Sequence, residues 1–557
     1  MKPTSQPTAP PRPQHENPRK STPGTGLGRD QTIGWREGSR RARQPRRPDP
    51  TVETTEAGFS DPAPQSHPVY TLFRQWRTSL TFLAFLSPVL TAAPAGPPPP
   101  SSAITFDDGR GTVEVIERLR FEDRQNNFDF NSAATAPTDG SWFVERFRLG
   151  ATWKPDSALA FQLQLQDARE WGSDRPKVPF ILGAEGNDAL DLRIAAVTWG
   201  DPKSSPVAFT LGRQILAFGE ERLVGSSEWN NFARTFDAGK LVWAAVPGKT
   251  TATAFLGSVV NIEGTTSGTG WKPDHSSTND LFGGIYVTQK LEAADLLEGY
   301  VLWRDKKDNN PIYSAPTAPI PAASRTAAAY DIGQNIVTLG TRYLMPPKEG
   351  AFDSEVEAAL QMGHVDRQTT AATGSYAGSS PTLDQQAWAL HALVGYTPAG
   401  GPAKLRFDVE YNLASGDTNR NDGKNGSFMN LFPSNHKFYG FMDVFSWKNL
   451  REAVATARFV PLPKTSVRLD YHWFSLYSSQ DAWYRANAVA TVRPLNAAAQ
   501  NAPPRAGEES DLTFAWNPQP WLTLDAGWAR FSAGPYLRAT GAGSDANFVY
   551  VQTTLKF

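Results

Sequence analysis

The chain has 557 residues, no cysteine, a formal net charge of −1 and a negative mean hydropathy of −0.43. The missing cysteines exclude a disulfide framework and a thiolate metal site. Charge is uneven: the first 95 residues hold 13 Lys/Arg against 7 Asp/Glu, leaving 42 against 49 in the rest. Any attraction for anions therefore depends on where the arginines stand, not on the total.

Residues 1–70 are rich in Pro and Arg and poor in aliphatic side chains, so they cannot bury a core and read as a disordered extension. Arg40, Arg41, Arg43, Arg46 and Arg47 suggest nucleic-acid binding, but the preferred reading is a wrongly assigned start. No nucleic-acid partner is expected. Arg40-Arg41 also lies too far from the next apolar segment for twin-arginine routing. Residues 71–95 read as a signal peptide, with basic Arg74 and Arg77, an apolar run over 80–86, and Ala93 and Ala95 spaced for cleavage. A short buried helix is the alternative, opposed by the proline run at 97–100 that ends the segment. Residues 96–110 form a short linker.

From 111 to 557 one unit repeats: an alternating strand, a tight turn, an alternating strand and a long polar loop. About eighteen strands can be marked. Short connections include Lys154-Pro155-Asp156-Ser157, Ala245-Val246-Pro247-Gly248 and Pro461-Leu462-Pro463. Long ones cover 122–141, 305–334, 415–448 and 477–509. Sorting of loops by parity is unexplained in a soluble sandwich. It follows directly in an all-β transmembrane antiparallel barrel, where alternate connections lie on opposite sides of the membrane. No stretch beyond residue 95 is apolar for the length of a membrane helix, and the plentiful Trp, Tyr and Phe suit the two aromatic girdles of a barrel.

Parity assigns the faces, because a slip of one residue would exchange lipid and lumen. Over 404–412, Leu405, Phe407, Val409 and Tyr411 oppose Lys404, Arg406, Asp408, Glu410 and Asn412. Over 466–473, Val467, Leu469, Tyr471 and Trp473 oppose Ser466, Arg468, Asp470 and His472. The polar parity directs Arg118, Arg120, Arg146, Arg148, Arg193, Arg342, Arg406 and Arg468 inward. Two readings stand: an anion path, or arginines that pair with Glu355, Glu357, Asp408, Glu410, Asp470 and Asp525 to fill the barrel. The cluster Arg118, Arg120, Arg146 and Arg148 has less acid on its own face and favours the anion path. Arg213 has the lipid-facing parity of Phe209 and Leu211, so either a bulge turns it inward or the strand has ended.

The segment Asp417, Asn419, Asn421, Asp422, Gly423 partly resembles a calcium loop but lacks the bidentate Glu at the required spacing, so no metal is expected. The aromatic part over 428–447 is expected to fold into the lumen or rim. No G-x-S-x-G or H-E-x-x-H occurs, and His472 beside Asp470 reads as a pore histidine, not a hydrolase dyad. No catalytic residue and no cofactor are expected.

Two blocks resemble the alginate export family of outer-membrane porins. The first holds Gly212, Arg213 and Gln214, then Arg222, Trp229-Asn230, Arg234 and Asp237. The second holds Gly416 and Asp417, then His436, Tyr439, Gly440 and Asp443. The likeness spans roughly 110–557. It implies an outer-membrane barrel with an arginine-lined constriction closed by loops, a role that carries onto Arg193 and Arg148. The alternating last strand with terminal Phe557 resembles the signal read by the outer-membrane assembly machinery. The expected partners are that machinery, outer-membrane lipid and an anionic sugar polymer. A general small-solute porin is the alternative, and an enzyme or adhesin on a barrel scaffold a third reading.

Overall fold

In the computed structural model, the described residues are 104–557, apart from 128, 134–138, 174–186, 202–204, 264–271, 308–332, 367–381, 402, 489–490, 494 and 496. The extension and signal peptide expected over 1–95 lie outside the described residues, as does the linker up to 103.

Alternating side chains build eighteen long strands: β1 Gly111–Gln125, β2 Gly140–Trp153, β3 Leu159–Trp171, β4 Asp188–Trp199, β5 Val207–Gln214 and β6 Phe236–Val246. They continue as β7 Thr250–Asn261, β8 His275–Lys290, β9 Leu296–Lys306, β10 Gln334–Met345, β11 Ala351–Asp366 and β12 Thr382–Thr397. The last six are β13 Arg406–Ala414, β14 Leu450–Phe459, β15 Thr465–Leu476, β16 Arg505–Gln519, β17 Leu522–Ala533 and β18 Ala546–Lys556. Each pairs antiparallel with its neighbour in the chain, and β1 pairs with β18 from Ile116↔Lys556 to Gln125↔Asn547. That pairing closes the sheet and leaves no free edge along the membrane. The expected strand number and antiparallel barrel are therefore correct.

The connections alternate as the sequence predicts. One end of the barrel carries the short turns, such as 247–249, 460–464 and 520–521; the other carries the long connections, including 215–235, 415–449 and 477–504. Along β13, Phe407, Val409 and Tyr411 are 48 %, 61 % and 45 % exposed, while Asp408 and Asn412 are buried. This is the apolar-out, polar-in period of a transmembrane strand.

The main apolar core lies inside the barrel, because long connections fold back into it. Phe445 of 415–449 stacks on Phe474 of β15 at 4.1 Å and on Trp483 of 477–504 at 4.7 Å. Phe432 of the same loop packs against Phe236 of β6 and Phe282 of β8. Each aromatic side chain so buried contributes about 1.5–3 kcal/mol, enough to hold these loops in the lumen. The aromatic segment over 428–447 thus sits where its composition directs it.

Candidate functional site

The antiparallel register of β1 and β2 sets Arg118 directly across from Arg146, and Ile116 across from Arg148. Cross-strand neighbours on one face are only about 5 Å apart, so these guanidiniums crowd together unless anions separate them. β4 adds Arg193, which donates to Gln164 Oε1 at 2.7 Å. All of Arg118, Arg120, Arg146, Arg148 and Arg193 point inward and are buried.

The separating groups come from the connection 215–235, which bends into the barrel after the short strand β5. Arg148 donates to Glu228 Oε2 at 2.9 Å, Arg146 lies 3.2 Å from the same oxygen, and Arg193 binds Glu228 Oε1. Arg118 donates to the carbonyls of Glu228 and Trp229 and to Asn231 Oδ1 at 2.9 Å. Arg146 donates to the Asn230 carbonyl, and Arg120 to that of Trp229 at 2.9 Å. Arg120 also binds Glu122 at 2.7 Å, an acid on its own strand face.

Glu228 keeps 42 % of its side chain exposed, so a charged carboxylate held by three guanidiniums also faces open space. Its partial burial opposes the charge, but Arg148, Arg146 and Arg193 outweigh that effect and hold its pKa down to about 2. Three guanidiniums, those of Arg146, Arg148 and Arg193, converge on one carboxylate, and a fourth, that of Arg118, holds the backbone carbonyl of the same residue.

The two motif blocks meet inside the barrel and lock the two inward loops together. Val224 and Phe432 form a parallel bridge. Arg234 donates to the carbonyls of Gly225, Phe432 and Pro433. Arg222 bonds Glu410 at 3.2 Å and lies 4.1 Å from the ring centre of Phe438, with the fully buried Tyr439 beside it. His436 and Asp443 bond at 2.8 Å, and Arg124 of β1 lies 3.6 Å from Asp443. Gly440 has φ +78°, and a Cβ there would meet the Glu509 carboxylate at 2.6 Å, so the turn requires glycine. Gly416 and Asp417 open the second loop, where Asp417 accepts from the Asn419 amide at 3.0 Å.

The remaining inward arginines lie elsewhere on the wall, among carboxylates. Arg342 binds Glu298 at 2.6 Å, Glu355 at 2.8 Å and Glu220 at 3.4 Å. Arg406 binds Asp353 and Asp408, and Arg468 binds Asp470 at 2.7 Å. Glu357 accepts from the Tyr300 hydroxyl, and Asp525 from the Gln552 amide. His472 is enclosed between Glu452 at 2.7 Å and Asp511 at 3.4 Å. The barrel-filling reading describes Arg342, Arg406 and Arg468, whereas the β1–β4 arginines gather around a loop.

Arg213 does not turn inward. Gly212, at φ +118°, lies at the end of β5, and Arg213 caps the rim by binding Asp237 at 2.9 Å and the Leu192 carbonyl at 2.9 Å. Gln214 turns inward and donates to the Ala238 carbonyl at 2.8 Å. Glu228 and Asn231 were missed by sequence reasoning. The available signal was Leu216, Leu223, Val224 and Phe232, apolar residues too numerous for a loop left in solvent.

A closed, lipid-faced antiparallel barrel with a charged lumen and inserted loops defines an outer-membrane channel. The family model for alginate export matches residues 117–552, and the chain belongs to that family. No curated protein matches the sequence. Among solved structures, the chain is similar to Pseudomonas aeruginosa OpdK with vanillate, at 11 % identity and TM-score 0.49, covering 80 % of this chain and 99 % of that one. It is also similar to Acinetobacter baumannii OccAB1, at 12 % identity and TM-score 0.49, covering 83 % and 99 %.

Proposed function

We propose that this channel passes an anionic polysaccharide or oligosaccharide, whose carboxylates move along the β1–β4 arginine wall. The observation that carries the reading is the convergence of Arg146, Arg148 and Arg193 on the solvent-facing carboxylate of Glu228. A uronate carboxylate presents the same two oxygens to the same planar donors. Glu228 then acts as a resident placeholder: it keeps the guanidiniums matched when the path is empty and yields to a polymer carboxylate. Exchange of one carboxylate for another avoids stripping a guanidinium of all its partners, which makes passage cheap. Family membership agrees with this substrate class.

The paired state of Arg342, Arg406 and Arg468 favours the second reading, a general small-solute porin whose interior charges serve structure. Planar-bilayer conductance of the refolded protein separates the two. Short polyuronates should block the current in a concentration-dependent way, and neutral oligosaccharides of equal length should not. Equal block by both, or none by either, leaves the general porin.

A further inference from the structure

We propose that Asp188, Asp191 and Asp274 form a divalent-cation site, fitted best by calcium, that staples the residues just before β8 to the upper end of β4. The site lies at the long-loop end of β4, where Asp191 stands two residues beyond Arg193 on the same buried face, and the proposal stands independently of the substrate reading.

The need for a staple follows from the strand lengths. β5 is eight residues long and ends at Gln214, because the chain then dives into the lumen. It pairs with β4 only over Ala195–Trp199, so among the described residues the upper part of β4 has no strand on that side. The pairing of β4 with β3 is also irregular there, with register shifts between Gln164/Leu165 and Gln166/Ala168. Asp274, just before β8, lies at this gap: its amide donates to Asp191 at 2.6 Å, and Arg213 donates to the Asp274 and Leu192 carbonyls.

What the gap gathers is negative charge. One oxygen from each of the three carboxylates lies within 4.8 Å of the other two. Two ligands each about 2.4 Å from one calcium ion can be no farther apart than about 4.8 Å, so every pair of the three carboxylates is close enough to share one ion, and a small inward shift of the side chains brings all three onto it. Asp188 is 2 % exposed and is aimed into the cluster, yet its carboxylate accepts no hydrogen bond from any described residue. A buried carboxylate without a partner is strongly unfavourable. The nearest cations are already engaged, Arg169 with Asp167 and Arg213 with Asp237. None of the three aspartates forms an ion pair with a described residue.

The donor set selects the ion. Oxygen ligands with neither imidazole nor thiolate suit a hard cation, and an irregular site shared between a strand end and a loop suits calcium better than strictly octahedral magnesium. Backbone carbonyls and water complete the shell. The three residues stand 3 and 83 positions apart in the chain, which is why no calcium-loop spacing marks them.

The test is equilibrium dialysis of radioactive calcium against the full-length refolded barrel in lipopolysaccharide-free detergent, with folding checked by heat-modifiable gel mobility. Wild type should bind one ion that chelator removes, and calcium should raise its unfolding midpoint. D188N/D191N should lose that ion, D274N should bind it at least tenfold more weakly, and D417N/D422N should retain it. If the double variant does not fold, D274N decides, because its change lies on the loop. Wild type without bound calcium at millimolar concentration, or D274N with unchanged affinity, overturns the proposal.

Discussion

The indole of Trp229 lies flat on the imidazole of His436, with ring centroids 3.8 Å apart and planes within 8°. The Arg120 guanidinium sits 3.9 Å from the centre of the same indole. Two groups that close occupy opposite faces, so Trp229 is clamped between the β1 wall and the second inserted loop. One side chain thus ties both motif blocks to the arginine cluster, and its cation–π contact with Arg120 adds about 1–2 kcal/mol in a dry setting.

Trp229→Ala should therefore loosen both loops at once. Trp229 is only partly buried, so the loss should fall below the roughly 3 kcal/mol at which fully buried tryptophans begin, at about 2 kcal/mol, read as a lower denaturant midpoint of the folded barrel. Single-channel recordings should show larger and noisier openings. An unchanged conductance with an unchanged midpoint would mean that the clamp holds nothing.

Glu228→Gln removes the carboxylate from the cluster while keeping its shape. The variant should be more anion-selective than wild type by roughly threefold, the effect of one screened charge near the path. The pH dependence has a definite sign. The folded-state pKa of Glu228 is depressed from 4.5 to about 2, so its charge and its anchoring of the loop are fully present above about pH 4.5 and are lost as pH falls through about 2. The difference in selectivity between wild type and variant should thus persist from pH 7 to about pH 3. Closure of that difference near pH 4.5 would show an ordinary, unpaired carboxylate.

The barrel was legible in the sequence because its determinants are local. A period of two, seen in Phe407, Val409 and Tyr411 against Asp408 and Asn412, needs only the residues of one strand, and a turn such as Pro461-Leu462-Pro463 only its own atoms. The state of each arginine was not legible, because its partner stands far off in the chain. Glu228 reaches Arg148 across 80 positions, and Glu220 reaches Arg342 across 122. Parity predicted that these arginines point inward but carried no information on which loop would enter to meet them. Arg213 illustrates the same limit at the rim, where its partner Asp237 sits on the next strand.

The orientation of the barrel is open to direct test. In barrels of this class the short turns face the periplasm and the long connections face outward. Protease added to intact cells should cut within 307–333 and spare 460–464, as mapped by mass spectrometry of the fragments. Cleavage at 460–464 alone would invert the barrel, and with it the side from which the arginine wall is entered.

The last expectation concerns the arginines themselves. Arg148→Gln with Arg193→Gln leaves Arg146 and Arg118 to hold Glu228 and its loop, so the barrel should remain folded. A guanidinium about 8 Å from a passing ion, at an effective dielectric of about 20, contributes about 2 kcal/mol before screening and under about 1 kcal/mol after it. Removing two such charges should lower the preference for anions over cations roughly tenfold, read as a shift of the reversal potential in a salt gradient toward cation selectivity. Arg406→Gln is the matched control, because its charge is already held by Asp353 and Asp408 and its loss should move selectivity far less. If the double variant and the control behave alike, the β1–β4 arginines only anchor the loop, and the small-solute reading stands in place of the anionic polymer.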